Sequence, residues 1–210
     1  MKSRDLPEAV EKPKGRPRSF DRDKALLKAL DLFWRKGYEP ASVAELCAAM
    51  EINPPSLYAA FGNKAKLFLE AVSYYERVYW KKTWDRLEQT ADITQAIDTF
   101  FSEAADILLS PSAPCGCMVV LAAINVSAES KEVVSAVSVL RQEGKDLFNK
   151  RLVRAVQEGQ LPEGTNTAVL ATVLNTLLEG MSIEAKDGAT PESLQMIGQH
   201  AIRLLPPLGK

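Results

Sequence analysis

The sequence predicts an all-α fold of about nine helices, and three observations carry that prediction. Apolar residues recur at three- and four-residue spacing from Leu26 to Ile202, and no stretch alternates convincingly as a half-buried strand would. Residues that favour helix starts, among them Asp21, Ser42, Asn53, Asn63, Asp92 and Thr190, stand just ahead of those apolar stripes. With 46 % hydrophobic residues in 210, the chain can bury a core without covalent staples.

Taken in order, residues 1–20 mix Pro, Gly and charge without periodicity and read as a disordered basic arm. Arg16 and Arg18 flank Pro17 there, a pattern able to enter a narrow, A·T-rich minor groove. Asp21 to Lys36 is amphipathic, with Leu26, Ala29, Leu30 and Phe33 on one face; Gly37 ends it and Tyr38 packs back. Ser42 caps a short helix whose inner face is Val43, Leu46, Cys47 and Met50. Asn53 caps another, with Pro54 and Pro55 at its first positions, where no N–H is needed, and with Leu57 and Phe61 docking inward. Two short helices joined by a tight turn, the second exposing a small polar face, fit a DNA major groove.

Asn63 opens a long helix to about Glu88, a rod of roughly 38 Å at about 1.5 Å per residue. Asp92 caps the next, to about Leu109, and the Ser110–Cys117 stretch breaks it. A short apolar helix to about Val126 follows, then one from Ser130 to Gly159 and one from Thr165 to Lys186. Thr190, Pro191 and Glu192 open the last, which Pro206 and Pro207 stop.

From Arg16 to Phe68 the chain resembles the TetR family of bacterial transcriptional regulators. The resemblance rests on Ala29, Leu32 and Phe33, then Gly37-Tyr38, Ser42-Val43, Leu46, Ile52, Ser56-Leu57-Tyr58, Phe61, Lys64 and Leu67-Phe68, in that order and spacing. It implies an all-helical homodimer with an N-terminal DNA-binding head and a C-terminal ligand-binding body, usually a repressor released by a small molecule. It also implies that the Tyr58 hydroxyl reaches a phosphate. The chain departs from the family pattern at Glu51, where glycine is usual, at Pro55, and at Ala59 and Ala60, which leaves few side chains to read bases.

The expected division is an arm over 1–20, a helix-turn-helix domain over 21–66, and a ligand-binding and dimerisation domain over 67–210. Residues 1–66 hold 13 Lys/Arg against 9 Asp/Glu and the remainder 13 against 18, so the net charge of -1 conceals a positive head. Candidate DNA contacts are Arg16, Arg18, Ser42, Asn53, Pro55, Ser56, Tyr58, Ala59 and Lys64, of which Tyr58, Lys64 and Ser42 are phosphate clamps. Candidate lining for an apolar effector is Tyr79, Trp80, Trp84, Phe101, Cys117, Leu121, Asn125 and Phe148. Leu174, Leu177, Leu178, Gly180, Met181, Ile197, Ile202 and Leu205 are expected at a two-fold dimer interface, where Gly180 would permit close helix approach. Paired heads require a near-palindromic double-stranded operator.

An enzyme is disfavoured by a single histidine and the lack of G-x-G-x-x-G, P-loop and H-E-x-x-H patterns. Cys115 and Cys117 at a helix start suggest a redox or electrophile sensor as an alternative, although no neighbouring base in sequence activates them. With His200 they do not make up a metal site, so neither metal nor cofactor is expected. A helical protein-interaction module with a degenerate DNA head is the alternative from another class. No apolar run approaches the length of a membrane span, and an odd cysteine count without a signal peptide places the chain in the cytoplasm.

Overall fold

The computed structural model describes residues 20–127 and 129–207, so Arg16 and Arg18 lie outside the described part. Among the described residues there are nine helices and no strand. The first three, α1 (Arg22–Lys36), α2 (Val43–Met50) and α3 (Pro54–Phe61), begin at the expected caps. The Asp21 carboxylate accepts the N–H groups of Asp23 and Lys24. At α2 the Glu45 N–H donates to Ser42 Oγ at 3.2 Å while the Ser42 N–H donates to the Glu45 carboxylate at 3.0 Å, a reciprocal capping box. Asn53 Oδ1 accepts the Ser56 N–H at 2.9 Å.

The turn between α2 and α3 keeps a left-handed residue although glycine is absent. Glu51 has φ 57 and ψ 40, making it the one non-glycine residue with positive φ among the described residues. The Ile52 N–H still closes the helix onto the Cys47 carbonyl at 3.0 Å. Lys28 pairs with the Glu51 carboxylate at 2.7 Å, but the pair is exposed and offsets little of the strain. Glu51→Gly is expected to stabilise the protein by about 0.5–1 kcal/mol, measured as a higher urea midpoint at unchanged slope. A lower midpoint would show that the ion pair outweighs the backbone strain.

The fourth helix, α4, is one rod in three segments, Lys64–Tyr75, a π-helical turn Glu76–Trp80, and Lys81–Gln89. At the π turn the Trp80 indole N–H donates to the Tyr75 hydroxyl at 2.6 Å, both side chains being buried. The extra residue in that turn rotates the C-terminal half of the rod relative to the N-terminal half. The remaining helices are α5 (Ile93–Leu108), α6 (Met118–Leu121), α7 (Lys131–Gln157), α8 (Thr167–Lys186) and α9 (Pro191–Ala201), the last extended by a 3-10 turn Ile202–Leu204. The apolar run after Met118 is thus helical only to Leu121 and continues as turns, where the sequence predicts helix to Val126.

Phe33, Leu46, Leu57 and Phe68 form the centre of the N-terminal core, with Phe33 and Phe68 edge to face at 5.1 Å. Farther along the chain, Trp84, Phe100, Phe101 and Phe148 interlock, with ring centroids 4.5 Å apart for Trp84–Phe100 and 4.9 Å for Phe100–Phe148. Two hydrogen bonds join the parts independently of α4. The Trp34 indole N–H donates to the Gly116 carbonyl at 2.8 Å, and the Tyr38 N–H donates to the Ala122 carbonyl at 2.7 Å.

Helix α8 is long and apolar enough to cross a membrane by length and composition, with a mean hydropathy of 1.2. Its residues Leu174, Leu178 and Met181 are instead buried against the rest of the chain.

Candidate functional site

Helix α3 is divided sharply between its faces. Leu57 and Phe61 are buried, whereas Asn53, Pro54, Pro55, Tyr58 and Ala59 are exposed. Tyr58 leaves 49 % of its surface to solvent, although its neighbour Leu57 is fully buried. Ser56 is half-buried and its N–H is engaged by Asn53.

The other expected phosphate contacts are less free. The Ser42 hydroxyl accepts from the Glu45 N–H and donates to the Glu45 carboxylate at 2.8 Å, so the capping box uses it twice. The Lys36 ammonium, and then Ser42, hold that carboxylate at a pKa of about 2. Lys64 donates to the Glu39 carbonyl at 3.1 Å and lies 4.4 Å from the centre of the Tyr38 ring. Burial lowers its pKa. An ammonium has three donors, and Lys64 keeps two beyond the Glu39 contact.

A cavity of about 100 Å³ lies between the π turn of α4 and helices α6, α7 and α8. Trp80, Trp84 and Cys117 line it, as the sequence predicts. Glu76, Leu140, Glu143, Gly144, Asn175 and Glu179 also line it, and the sequence reading leaves them out. Tyr79, Phe101, Leu121, Asn125 and Phe148 do not. Tyr79 packs edge to face on Trp34 at 5.2 Å, because the π turn rotates it toward α1. Phe101 and Phe148 stack on one another within the aromatic core, 6.1 Å apart, and Asn125 is exposed because α6 ends before it. Leu121, half-buried at the end of that helix, is likewise outside the lining.

A signal for the missed residues does exist in the chain. Glu76 stands four residues from both Val72 and Trp80 on one helical stripe, and Asn175 lies between the buried Ala171 and Leu178. Polar residues inside an apolar stripe mark a buried polar position.

Burial, and then the neighbouring Glu143, push the Glu76 carboxyl up to about 7. Burial, and then Glu76, push the Cys117 thiol up to about 11. At neutral pH Cys117 is therefore a protonated, poorly nucleophilic thiol, while Cys115 is exposed. Among the described residues no three His, Cys, Asp or Glu side chains are grouped for a metal ion. On the far side of Trp84 is a second cleft of about 370 Å³ that includes Lys150, Arg151 and Arg154. Both guanidiniums donate to the carbonyl of Thr90, and Arg151 also to that of Ala91, so they clamp the chain just beyond the end of α4.

Helices α8 and α9 present an uncovered apolar face. Val169, Val173, Ile183, Met196 and Leu204 are each about two-fifths exposed or more. Leu177, Gly180, Ile197, Ile202 and Leu205 are half-buried beside them. Leu174, Leu178 and Met181, expected at the dimer interface, are turned into the protomer and buried there. The correction has a simple cause: α8 is apolar on two sides, and spacing alone does not say which side faces the core. At Gly180 a Cβ would meet nothing within 4 Å, so no neighbour in the described chain requires a glycine there.

Residues 25–71 match the family of bacterial regulatory proteins, tetR family, and residues 94–201 match a tetracyclin repressor-like C-terminal domain. The chain belongs to the TetR family and is a DNA-binding transcriptional regulator. It is 32 % identical over 207 residues to the HTH-type transcriptional repressor ComR of Escherichia coli (strain K12), covering 98 % of this chain and 99 % of ComR. A similarity at 29 % identity, covering 86 % of each chain, links it to the HTH-type transcriptional repressor BdcR of the same organism. The solved structure of a cysteine mutant of the TetR family transcriptional regulator CifR, complexed with 26bp double-strand operator DNA, superposes with a TM-score of 0.86 at 42 % identity. That match covers 90 % of this chain and 98 % of that one.

Proposed function

We propose that this regulator is a homodimeric repressor that holds a near-palindromic double-stranded operator and is released when a small effector enters the cavity beside the π turn. Residues 21–66 would serve as the DNA-reading head, 67–210 as the effector and dimerisation body, and 1–20 as an arm whose Arg16 and Arg18 enter the minor groove. The observation that carries the DNA assignment is the exposure of Asn53, Pro55, Tyr58 and Ala59 on a helix whose opposite face, Leu57 and Phe61, is fully engaged in the core. Tyr58 and Lys64 hold phosphates, and Ser56 and Ala59 face base edges. The phosphate role of Ser42 requires its capping hydroxyl to be shared, so it is the weakest contact of the set.

The two-fold interface forms from the Val169, Val173, Leu177, Gly180, Met196 and Leu204 face, since burying a contiguous apolar surface drives association. By linkage, effector and operator must weaken each other's binding equally.

The test is selection of bound duplexes from a random pool, followed by two variants on the selected site. Tyr58→Phe is expected to lose about 1 kcal/mol of binding on every sequence alike. Lys64→Ala should in addition flatten the dependence of log affinity on log salt by about one unit. A loss confined to particular base pairs would overturn the phosphate assignment, and failure to enrich any duplex would overturn the operator reading.

A further inference from the structure

We propose that the cavity beside the π turn is a cage for a small organic cation, an alkyl- or arylammonium whose charged group sits among Glu76, Glu143 and the Asn175 carbonyl, against Trp80 and Trp84. The inference rests on the reading of this cavity as the effector site and names the chemical class of the effector.

Charge comes first. Three carboxylates, Glu76, Glu143 and Glu179, line the cavity against one basic residue, Arg141. The Nε and Nη2 groups of Arg141 donate to the carbonyls of Val119 and Ala123, at 3.2 to 3.3 Å, which ties it to α6 and the turn after it. Glu76 is half-buried and Glu143 exposed, and among the described residues neither is salt-bridged to a basic side chain. Burial is the main cause of the raised affinity of Glu76 for its proton, and the neighbouring Glu143 adds to it, so a cation placed between the two carboxylates would favour the ionised form.

An independent observation comes from α8. Asn175 is 3 % exposed and its amide Nδ2 donates to the Glu179 carboxylate at 3.0 Å. A carboxylate accepts only, so this contact fixes which way the amide points. The amide oxygen then faces Gly144, where an added Cβ would lie 2.9 Å from it, and among the described residues it accepts no hydrogen bond. That oxygen lines the cavity within reach of solvent, so it is open to a donor from a bound ligand. Ammonium N–H groups meet both needs at once.

The walls fit the same ligand. The Trp80 and Trp84 rings lie 6.4 Å apart at 35°, and the Trp84 edge packs close to Gly144, 3.7 Å from where a Cβ on that residue would stand. Indole faces attract a desolvated cation, whereas they offer nothing to a carboxylate. Among the described residues no three His, Cys, Asp or Glu side chains are grouped as a metal ion needs, and the proposal is therefore an organic cation. A volume of about 100 Å³ restricts the ligand to a few heavy atoms. Glu76 sits in the π turn midway along α4, the helix that starts at Lys64, so neutralising it acts on the rod that carries the DNA contacts.

The test uses the full-length protein and three probes with one carbon chain and three charges: n-butylammonium, n-butanol and butyrate. Tryptophan fluorescence is titrated at neutral pH, and operator release is followed in parallel. Saturable quenching by butylammonium, roughly tenfold tighter than butanol and with no butyrate response, is expected. Glu143→Gln and Glu76→Gln should each weaken the ammonium roughly tenfold and leave butanol unchanged, with thermal melting confirming that both variants fold. No ammonium response, equal affinity for butanol or butyrate, or an ammonium response indifferent to both variants would overturn the cation class. Ammonium binding with that selectivity but without operator release would support the cage and refute the effector reading on which it rests.

Discussion

Gly116→Ala is expected to destabilise the protein by about 2–5 kcal/mol, the largest loss expected for an alanine at any glycine among the described residues. Gly116 has φ 82, and a Cβ there would come within 2.7 Å of the Ser182 carbonyl oxygen and closer still to the Leu121 side chain. The leucine can move, but the carbonyl belongs to the backbone of α8. The same residue donates its N–H to the Leu108 carbonyl at 2.9 Å and accepts the Trp34 indole. Any shift that relieves the clash therefore pulls on α1 as well as on α5. Gly159→Ala is the control: its φ is 69, but an added Cβ meets nothing within 4 Å, so only the conformational cost of about 1 kcal/mol is expected. Urea unfolding of the two variants separates strain from collision. Equal losses would show that the loop before α6 yields, and that the junction between α1 and α8 is softer than its packing implies.

Glu76→Gln should do the opposite and stabilise the protein. The carboxyl is pushed up to about 7 in the folded chain against an ordinary value of 4.5, because it is half-buried and desolvated and lies near Glu143. Between those two values the native state holds a proton that the unfolded state has released, so stability falls as pH rises through that window. At about 1.36 kcal/mol per unit the ceiling is about 3 kcal/mol above pH 7, and partial access to water reduces it to about 1–3 kcal/mol. Glutamine keeps the shape and removes the charge. Unfolding free energies measured from pH 5 to 8 should slope downward for the wild type and lie flatter and higher for the variant. Parallel curves would mean that Glu76 is solvated. A gain in stability on replacement would assign Glu76 a role other than stability, and this residue lines the cavity.

The caps show how much of this molecule is legible from its residues. Ser42 with Glu45, Asn53 with Ser56, and Thr190 with Ser193 make their bonds within three residues, so their chemistry needs no knowledge of the rest of the chain. The inward faces of α1, α2 and α3 were equally plain, because each has a single apolar stripe, and Tyr58 follows as the exposed residue by exclusion. The left-handed turn at Glu51 could be anticipated as a departure from glycine, while its actual φ could not.

The cavity was not legible in the same way. A spacing of four residues places Val72, Glu76 and Trp80 on one stripe, yet the π turn inserts a residue into that stripe and changes what the second half of α4 faces. Trp80 and Trp84 came to line the cavity, while Tyr79 went to Trp34 and Phe101 and Phe148 went to the core. On α8, Leu174 and Val173 are adjacent apolar residues, and only the packing of the helix against the rest of the chain decided that the first is buried and the second uncovered. Local hydrogen bonding is settled by neighbours in the chain and survives in any fold. The side of a helix that becomes a binding site is settled by which distant helix fails to fill the space beside it.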